Sequence, residues 1–162
     1  MSEEKTGKTP AARKIKILVV DDHPIVLEGL AELLNHEEDL VVSARASNGA
    51  EAMKAVKKQR IDLALIDMLL KNTKGIQITK KIKALFPNMF VLIFSMSDDS
   101  RYVEQAFDAG ARGYILKDEL SEKIVDAIRQ VLDGGIYLNK RLAEKFSKHE
   151  LDEFLSAGKK YA

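Results

Sequence analysis

The chain has 162 residues, of which 46% are hydrophobic and 31% are charged, and its formal net charge is +1. These values suit one globular domain with short tails, and the charge balance gives no overall reason to bind nucleic acid or an anionic membrane. Cysteine is absent, which excludes disulfides, thiol nucleophiles and thiolate metal sites, and no apolar run approaches the roughly 20 residues that span a bilayer.

Apolar runs alternate with amphipathic stretches along most of the chain, which predicts strands alternating with helices. Residues 1–14 are polar, lack the apolar core of a signal peptide and are expected to form a flexible tail of a cytoplasmic protein. The elements predicted after the tail are strand 15–20, helix 24–35, strand 40–44, a helix from 48 or 49 to about 60, strand 61–67, a helix that follows the polar loop 71–75 and that Pro87 stops, strand 90–94, helix 100–110, strand 113–116 and helix 121–132.

Five repeats of strand and helix predict an α/β fold with a parallel sheet covered on both faces. Asp22 or His23 is the expected cap of the first helix, and Ser100 that of the fourth. We expect one domain over residues 15–138. Residues 139–162 are expected to form a C-terminal helical extension, as one helix or two short ones, or the start of a linker to an absent output domain.

One charged residue stands in an unusual place. Asp67 lies in the run Ala64-Leu65-Ile66-Asp67-Met68-Leu69-Leu70, where every sequence neighbour is apolar. A carboxylate at the end of a buried strand is costly to remove from water, so it requires a cation or a chemical role. The run therefore favours a functional site at Asp67.

Polar side chains also follow the other predicted strands. Asp21 and Asp22 follow the first strand, Ser95 follows the fourth and Lys117 follows the fifth. Ligands of open parallel sheets bind beyond the carboxyl ends of the strands, so these groups are expected to meet Asp67 there. Hard oxygen ligands suit Mg²⁺, and the combination suits an aspartyl phosphate; taken singly, Asp22 is equally well a helix cap, and Ser95 and Lys117 are ordinary loop residues.

Several segments together resemble the response-regulator receiver domain of two-component signalling, most closely the NarL/FixJ (LuxR-type) subfamily, over about residues 15–138. The segments that carry the resemblance are Val19-Val20-Asp21-Asp22-His23-Pro24, Ala46-Ser47-Asn48-Gly49, Asp108-Ala109-Gly110-Ala111-Arg112-Gly113-Tyr114, Leu116-Lys117-Asp118 and Gly134-Gly135. The resemblance implies a doubly wound, flavodoxin-like sheet of five strands in the order 2-1-3-4-5.

The resemblance also implies a role for each acid. Asp67 is expected to be the phosphoacceptor. Asp22 is expected to bind Mg²⁺ directly and Asp21 largely through water, with the backbone carbonyl of Leu69 completing the metal site. A sensor histidine kinase is the implied phosphodonor, and the chain is not expected to be an enzyme beyond promoting its own phosphorylation and dephosphorylation.

Further roles concern the switch. Ser95 and Lys117 are expected to contact the phosphoryl group. Ser95 and Tyr114 are expected to form a switch pair that alters the face made by the fourth helix, fifth strand and fifth helix. One departure from the family pattern is Lys71, which stands four residues after the phosphoacceptor, where proline is common.

Other interpretations of the sequence stay open. The chain could be the receiver part of a LuxR-type DNA-binding regulator, although no recognition helix follows Leu138 and we expect no DNA binding by this chain alone. It could also be a degenerate receiver that acts without phosphorylation. A flavin binder is disfavoured because Asp21 and Asp22 would repel a phosphate, and an aspartyl hydrolase because Leu69 stands where a second acid is expected. A possible homodimer and a downstream protein partner complete the expectations.

Overall fold

The computed structural model describes residues 13–159, with the side chains of the last two left out, so the predicted tail lies mostly outside the described residues. The strands are β1 (Ile15–Val20), β2 (Leu40–Ala46), β3 (Leu63–Asp67), β4 (Phe90–Ser95) and β5 (Gly113–Leu116). The helices are α1 (Pro24–Asn35), α2 (Gly49–Lys58), α3 (Gly75–Leu85), α4 (Ser100–Asp108), α5 (Leu120–Leu132), α6 (Lys140–Ala143) and α7 (Lys148–Lys159), and a 3₁₀ turn (Lys117–Glu119) joins β5 to α5.

The five strands form one parallel sheet in the order β2-β1-β3-β4-β5, which confirms the predicted fold class. Alternate residues of each strand enter two separate cores. Ile17 and Val19 pack with α1 and α5, whereas Leu18 and Val20 pack with α2, α3 and α4. Burial on both faces explains why the strands are continuously apolar rather than alternating.

The predicted boundaries differ from the observed ones by a few residues, and one predicted cap is wrong. Of the two residues predicted for the cap of α1, His23 occupies the cap position, without a side-chain hydrogen bond to the helix, and Asp22 does not. Ser100 is the first residue of α4, and the carboxylate of Asp99 caps that helix by accepting from the Arg101 N–H at 2.9 Å. A carboxylate also suits the positive end of the helix dipole.

Gly75 sets the path of the chain beside the end of β3. Its N–H donates to the Met68 carbonyl at 2.7 Å, which returns the loop onto the strand that carries Asp67. A Cβ atom at this position would overlap the Asp67 carbonyl oxygen and lie 3.1 Å from Ile66 Cγ2. The close approach therefore requires glycine and holds the loop of residues 69–74 beside Asp67.

The chain beyond α5 returns to the open edge of β5. Tyr137 pairs with Gly113 in a parallel bridge, and its carbonyl accepts the Tyr114 N–H at 3.0 Å. Helices α6 and α7 follow, which is the two-helix form of the prediction for this segment. The division into tail, receiver and extension stays a prediction. Among residues 13–159, no helix combines the length and apolarity that crossing a bilayer requires.

Gly75→Ala should lower the free energy of unfolding by about 1–3 kcal/mol, because the new methyl group can be placed only by moving the loop off β3. Urea unfolding followed by circular dichroism measures the change.

Gly29→Ala is the matched control, since Gly29 lies inside α1 and its Cβ would meet nothing within 4 Å. That change should stabilise the protein by about 0.5–1 kcal/mol through helix propensity. Equal effects of the two substitutions would contradict the role assigned to Gly75.

Candidate functional site

The sheet places four polar side chains at the carboxyl ends of its strands. Asp67 ends β3 and Ser95 ends β4, while Asp21 and Lys117 directly follow β1 and β5. Val20 pairs with Ile66, Asp67 with Phe94, and Ser95 with Leu116, so the four neighbouring strands end at nearly the same level. The register alone therefore brings residues that are distant in sequence to one site.

The acids form a compact cluster. One ligand atom from each of Asp21, Asp22, His23 and Asp67 lies within 4.8 Å of the others. Asp21 is fully buried and Asp67 is 3% exposed, whereas His23 is open to solvent. Carboxylates that are this close and this buried repel one another strongly unless a positive charge lies among them.

Lys117 supplies one positive charge. Its Nζ donates to Asp67 Oδ2 at 3.1 Å and lies 3.5 Å from Asp21 Oδ2. The same ammonium lies 5.4 Å from the centroid of the Phe94 ring, on which it can rest by a cation–π contact. Lys117 thus binds both buried acids from one side of the cluster.

The charge on Asp67 is only partly compensated. The pKa of Asp67 is raised from 3.8 to about 6, chiefly because the carboxyl is buried and in smaller part because of the neighbouring charge of Asp21, while the hydrogen bond from Lys117 lowers it. The Leu69 N–H donates to Asp67 Oδ1 at 3.2 Å and adds a small lowering effect. A further cation near Asp67 would therefore favour the ionised, nucleophilic form at neutral pH.

The cluster has oxygen atoms free for such a cation. Asp21 Oδ2 and Asp22 Oδ1 are buried and accept no hydrogen bond, although Lys117 Nζ lies 3.5 Å from the former and His23 Nδ1 lies 3.0 Å from the latter. Buried carboxylate oxygens without donors are rare and call for an ion or water. Oxygen ligands of this kind match the preference of Mg²⁺, so the residues present fit the predicted metal.

The loop after β3 holds the second aspartate. The Lys71 N–H donates to Asp22 Oδ2 at 2.8 Å, which leaves Asp22 Oδ1 as the unbonded oxygen. A proline at position 71, common in the resembling family, has no N–H and could not make this bond. The departure at Lys71 therefore has a structural consequence at the predicted metal site.

The predicted switch residues Ser95 and Tyr114 lie beside a second serine, Ser97. The Ser97 N–H donates to Ser95 Oγ at 3.0 Å, and the hydroxyl of Tyr114 donates to the Ser97 carbonyl at 2.6 Å. Tyr114 is fully buried, and burial raises its pKa, partly offset by the nearby Ser95 hydroxyl. Ser97 thus joins Ser95 to Tyr114 through its backbone.

Each predicted side chain except Tyr114 lies at the strand-end edge, and Tyr114 lies one layer below it in β5. Their chemical roles stay predictions, as does the Leu69 carbonyl as a ligand. Sequence reasoning missed three contacts: the His23 ring, 2.8 Å from Asp21 Oδ1, the Lys71 N–H and the Ser97 backbone. Only His23 carried a signal, because it directly follows the two acids.

Comparison with known proteins identifies the class that this fold and site define. Residues 17–129 match the model of the response regulator receiver domain, and the chain belongs to that family. A solved structure of a two-component response regulator of the LuxR family, from an Aurantimonas species, superposes with a TM-score of 0.79 at 31% identity. The match covers 85% of this chain and 98% of that one. The predicted resemblance to LuxR-type receivers is thereby confirmed.

Curated relatives support the same family assignment. The chain is 36% identical over 129 residues to the oxygen regulatory protein NreC of Staphylococcus epidermidis, covering 79% of this chain and 59% of the relative. It is 40% identical over 124 residues to the transcriptional regulatory protein LnrK of Bacillus subtilis, covering 76% of this chain and 56% of the relative. The chain therefore spans less than two thirds of the length of these relatives.

Asp67→Asn should stabilise the metal-free protein at pH 7.5. The pKa of Asp67 is about 6 when folded against 3.8 as the ordinary value, so ionising this carboxyl opposes folding. Removing its charge should add about 1–3 kcal/mol above pH 7, and the gain should shrink as the pH falls through about 6 and disappear below 3.8, where the carboxyl is mainly protonated in both states.

Urea unfolding at several pH values, without divalent ions, measures this gain. Asp118→Asn, which removes an exposed carboxyl next to Lys117, should change stability by less than about 0.5 kcal/mol at every pH. A loss of stability in Asp67→Asn at pH 7.5 would show that Lys117 fully compensates the charge, contrary to this account.

Lys71→Pro should weaken Mg²⁺ binding several-fold, because it removes the N–H that orients Asp22. Lys71→Ala keeps the N–H and should bind Mg²⁺ almost as tightly as the unsubstituted protein. Isothermal titration with Mg²⁺ gives both dissociation constants. The same affinity in the two variants would show that the backbone bond to Asp22 does not matter for the metal.

Proposed function

We propose that this receiver domain is a phosphorylation-activated switch that accepts a phosphoryl group from a sensor histidine kinase onto Asp67. One observation supports this above the others: a buried carboxylate lies between an ammonium on one side and unbonded carboxylate oxygens on the other. Such an arrangement suits an anionic group that arrives together with a divalent cation.

In the proposed reaction, an Asp67 carboxylate oxygen forms a bond to phosphorus while the bond from phosphorus to the donor histidine nitrogen breaks. The electron pair of the broken bond stays on the histidine nitrogen, which is protonated. Lys117, whose Nζ lies 3.1 Å from Asp67 Oδ2, binds one oxygen of the incoming phosphoryl group. Ser95 donates a hydrogen bond to a second phosphoryl oxygen. Bound Mg²⁺ would supply charge neutralisation between the phosphoryl group and the acids Asp21 and Asp22.

The proposed output follows from the position of Ser95. When its hydroxyl turns to the phosphoryl group, the bond from the Ser97 N–H is strained, and the Ser97 carbonyl that holds Tyr114 moves with it. The change then reaches the face formed by α4, β5 and α5, where a downstream protein or a second copy of the chain would bind. The proposed setting is the cytoplasm, as predicted from the sequence.

A second candidate function is the receiver part of a LuxR-type DNA-binding regulator. The match to only 59% of NreC and 56% of LnrK supports it. In the described chain, α7 begins with a reciprocal cap in which the Ser147 N–H donates to Glu150 Oε1 at 2.9 Å and the Glu150 N–H donates to Ser147 Oγ at 3.1 Å. Under this proposal, the DNA-binding surface lies outside the present chain.

Treatment with acetyl phosphate and Mg²⁺ should add the mass of one phosphoryl group to the chain, as measured by intact-protein mass spectrometry. Asp67→Asn should take up none, because the acceptor carboxylate is gone, and Asp118→Asn should take up as much as the unsubstituted chain. The added group should be labile to hydroxylamine, as an acyl phosphate is.

Uptake that persists in Asp67→Asn would place the acceptor elsewhere. No uptake by the unsubstituted chain, together with an unchanged spectrum on adding Mg²⁺ and beryllofluoride, would favour the degenerate receiver instead.

A further inference from the structure

The C-terminal arm, residues 139–159, packs against the outer side of α4. Leu142 is fully buried and Phe146 is 8% exposed, and both belong to the core that contains Val103 and Phe107 of α4. Phe154 of α7 stacks on Phe107 with ring centroids 4.6 Å apart and meets the edge of Phe146 at 5.3 Å. The arm therefore covers part of the face that the proposed switch alters.

Two cations of the receiver and the arm close this contact. Arg112, which is 6% exposed and precedes β5, donates from Nη1 to the Phe154 carbonyl at 3.0 Å. Lys145, between the two helices of the arm, donates to the Asp98 carbonyl at 2.6 Å, and its Nζ lies 3.9 Å from Asp98 Oδ2. One of these contacts reaches the loop between β4 and α4.

That loop also carries the proposed switch. Asp98 directly follows Ser97, whose N–H donates to Ser95 Oγ and whose carbonyl accepts from Tyr114. A continuous set of bonds thus runs from Ser95 through two loop residues to Lys145. Any movement of Ser97 toward the phosphoacceptor must also move the carbonyl that Lys145 binds.

The charges around the arm weaken its attachment. A groove of about 540 Å³ separates α4 from α7. Carboxylates line both of its walls, Glu104 and Asp108 on α4 and Glu150 and Glu153 on α7. Like charges across a partly exposed interface oppose docking, so the aromatic contacts and the two cationic bonds hold the arm against this repulsion.

We propose that the surface formed by α4 and the loop of residues 96–99 is a docking surface for the chain's own C-terminal arm, and that phosphorylation of Asp67 loosens the arm from it. The inference rests on the proposed function and specifies its output. Phosphorylation draws Ser95 toward the phosphoryl group, Ser97 follows, and the Asp98 carbonyl leaves Lys145. The contact is then left with the buried side chains Leu142 and Phe146, the aromatic stack and the Arg112 bond, against the repulsion in the groove.

Hydrogen–deuterium exchange of the whole chain tests the proposal, with Mg²⁺ and beryllofluoride as the phosphoryl mimic. Amides of residues 148–157 should exchange at least about five-fold faster with the mimic than without it, the lower end of common coupling strengths. Amides of α1 serve as the internal control and should not change. The same addition to Asp67→Asn should leave the arm unchanged.

Two variants sharpen the test. Lys145→Gln should speed exchange of α7 without the mimic and reduce the further response, because the bond to the loop is already lost. Glu104→Gln should slow exchange of α7, because it removes one of the facing charges, and should keep the response. Unchanged exchange in both variants would overturn the proposed attachment.

Fluorine NMR of the same samples distinguishes a failure of the proposed function from a failure of the inference about the arm. A bound-beryllofluoride signal together with faster exchange of the arm supports the inference. A bound signal with unchanged or slower exchange overturns the inference and leaves the proposed function standing. No bound signal overturns the proposed function and the inference with it.

Discussion

The structure depends on keeping several negative charges at the buried end of a parallel sheet. Asp21 and Asp67 are almost completely buried, and Lys117 forms an ion pair with both. One ammonium faces three carboxylates, and burial together with the charge of Asp21 raises the pKa of Asp67. Under the proposed function, a divalent cation would supply the positive charge that the site lacks and would accompany the phosphoryl group.

The surrounding fold is what holds this unfavourable arrangement together. The strands that carry the acids are buried on both faces by apolar side chains, and Gly75 ties the next loop to the end of β3. Their burial stabilises the fold regardless of the charges at the strand ends, so the carboxylates cannot relax by moving apart. The stability of the core therefore keeps these carboxylates close together despite their mutual repulsion.

The sequence predicted those parts of the site that follow directly from strands. An apolar run ends at a recognisable residue, and parallel neighbours end at one level, so Asp21, Asp67, Ser95 and Lys117 could be placed together before any coordinates. Contacts made by loop backbone could not be predicted. The bond from the Lys71 N–H to Asp22 depends on loop conformation, and so do the bonds of the Ser97 N–H and carbonyl to Ser95 and Tyr114. The pattern of side chains in a sequence says little about loop conformation. For the same reason, the helical extension predicted for residues 139–162 carried no indication of the surface on which Phe146 and Phe154 pack.

The strand-end site and the C-terminal arm both contact the loop after β4, and both combine the same kinds of charged group. In each, carboxylates face one another and cations hold the assembly closed: Lys117 at the strand ends, Arg112 and Lys145 at the arm. Under the proposed function, a divalent cation would relieve the repulsion at the site and would bind the phosphoryl group. At the arm nothing enters, so a contact weakened there is replaced only by water. Both the strand-end site and the attachment of the arm depend on the position of Ser97 and Asp98. A change that moves these two residues toward Asp67 should therefore loosen the arm.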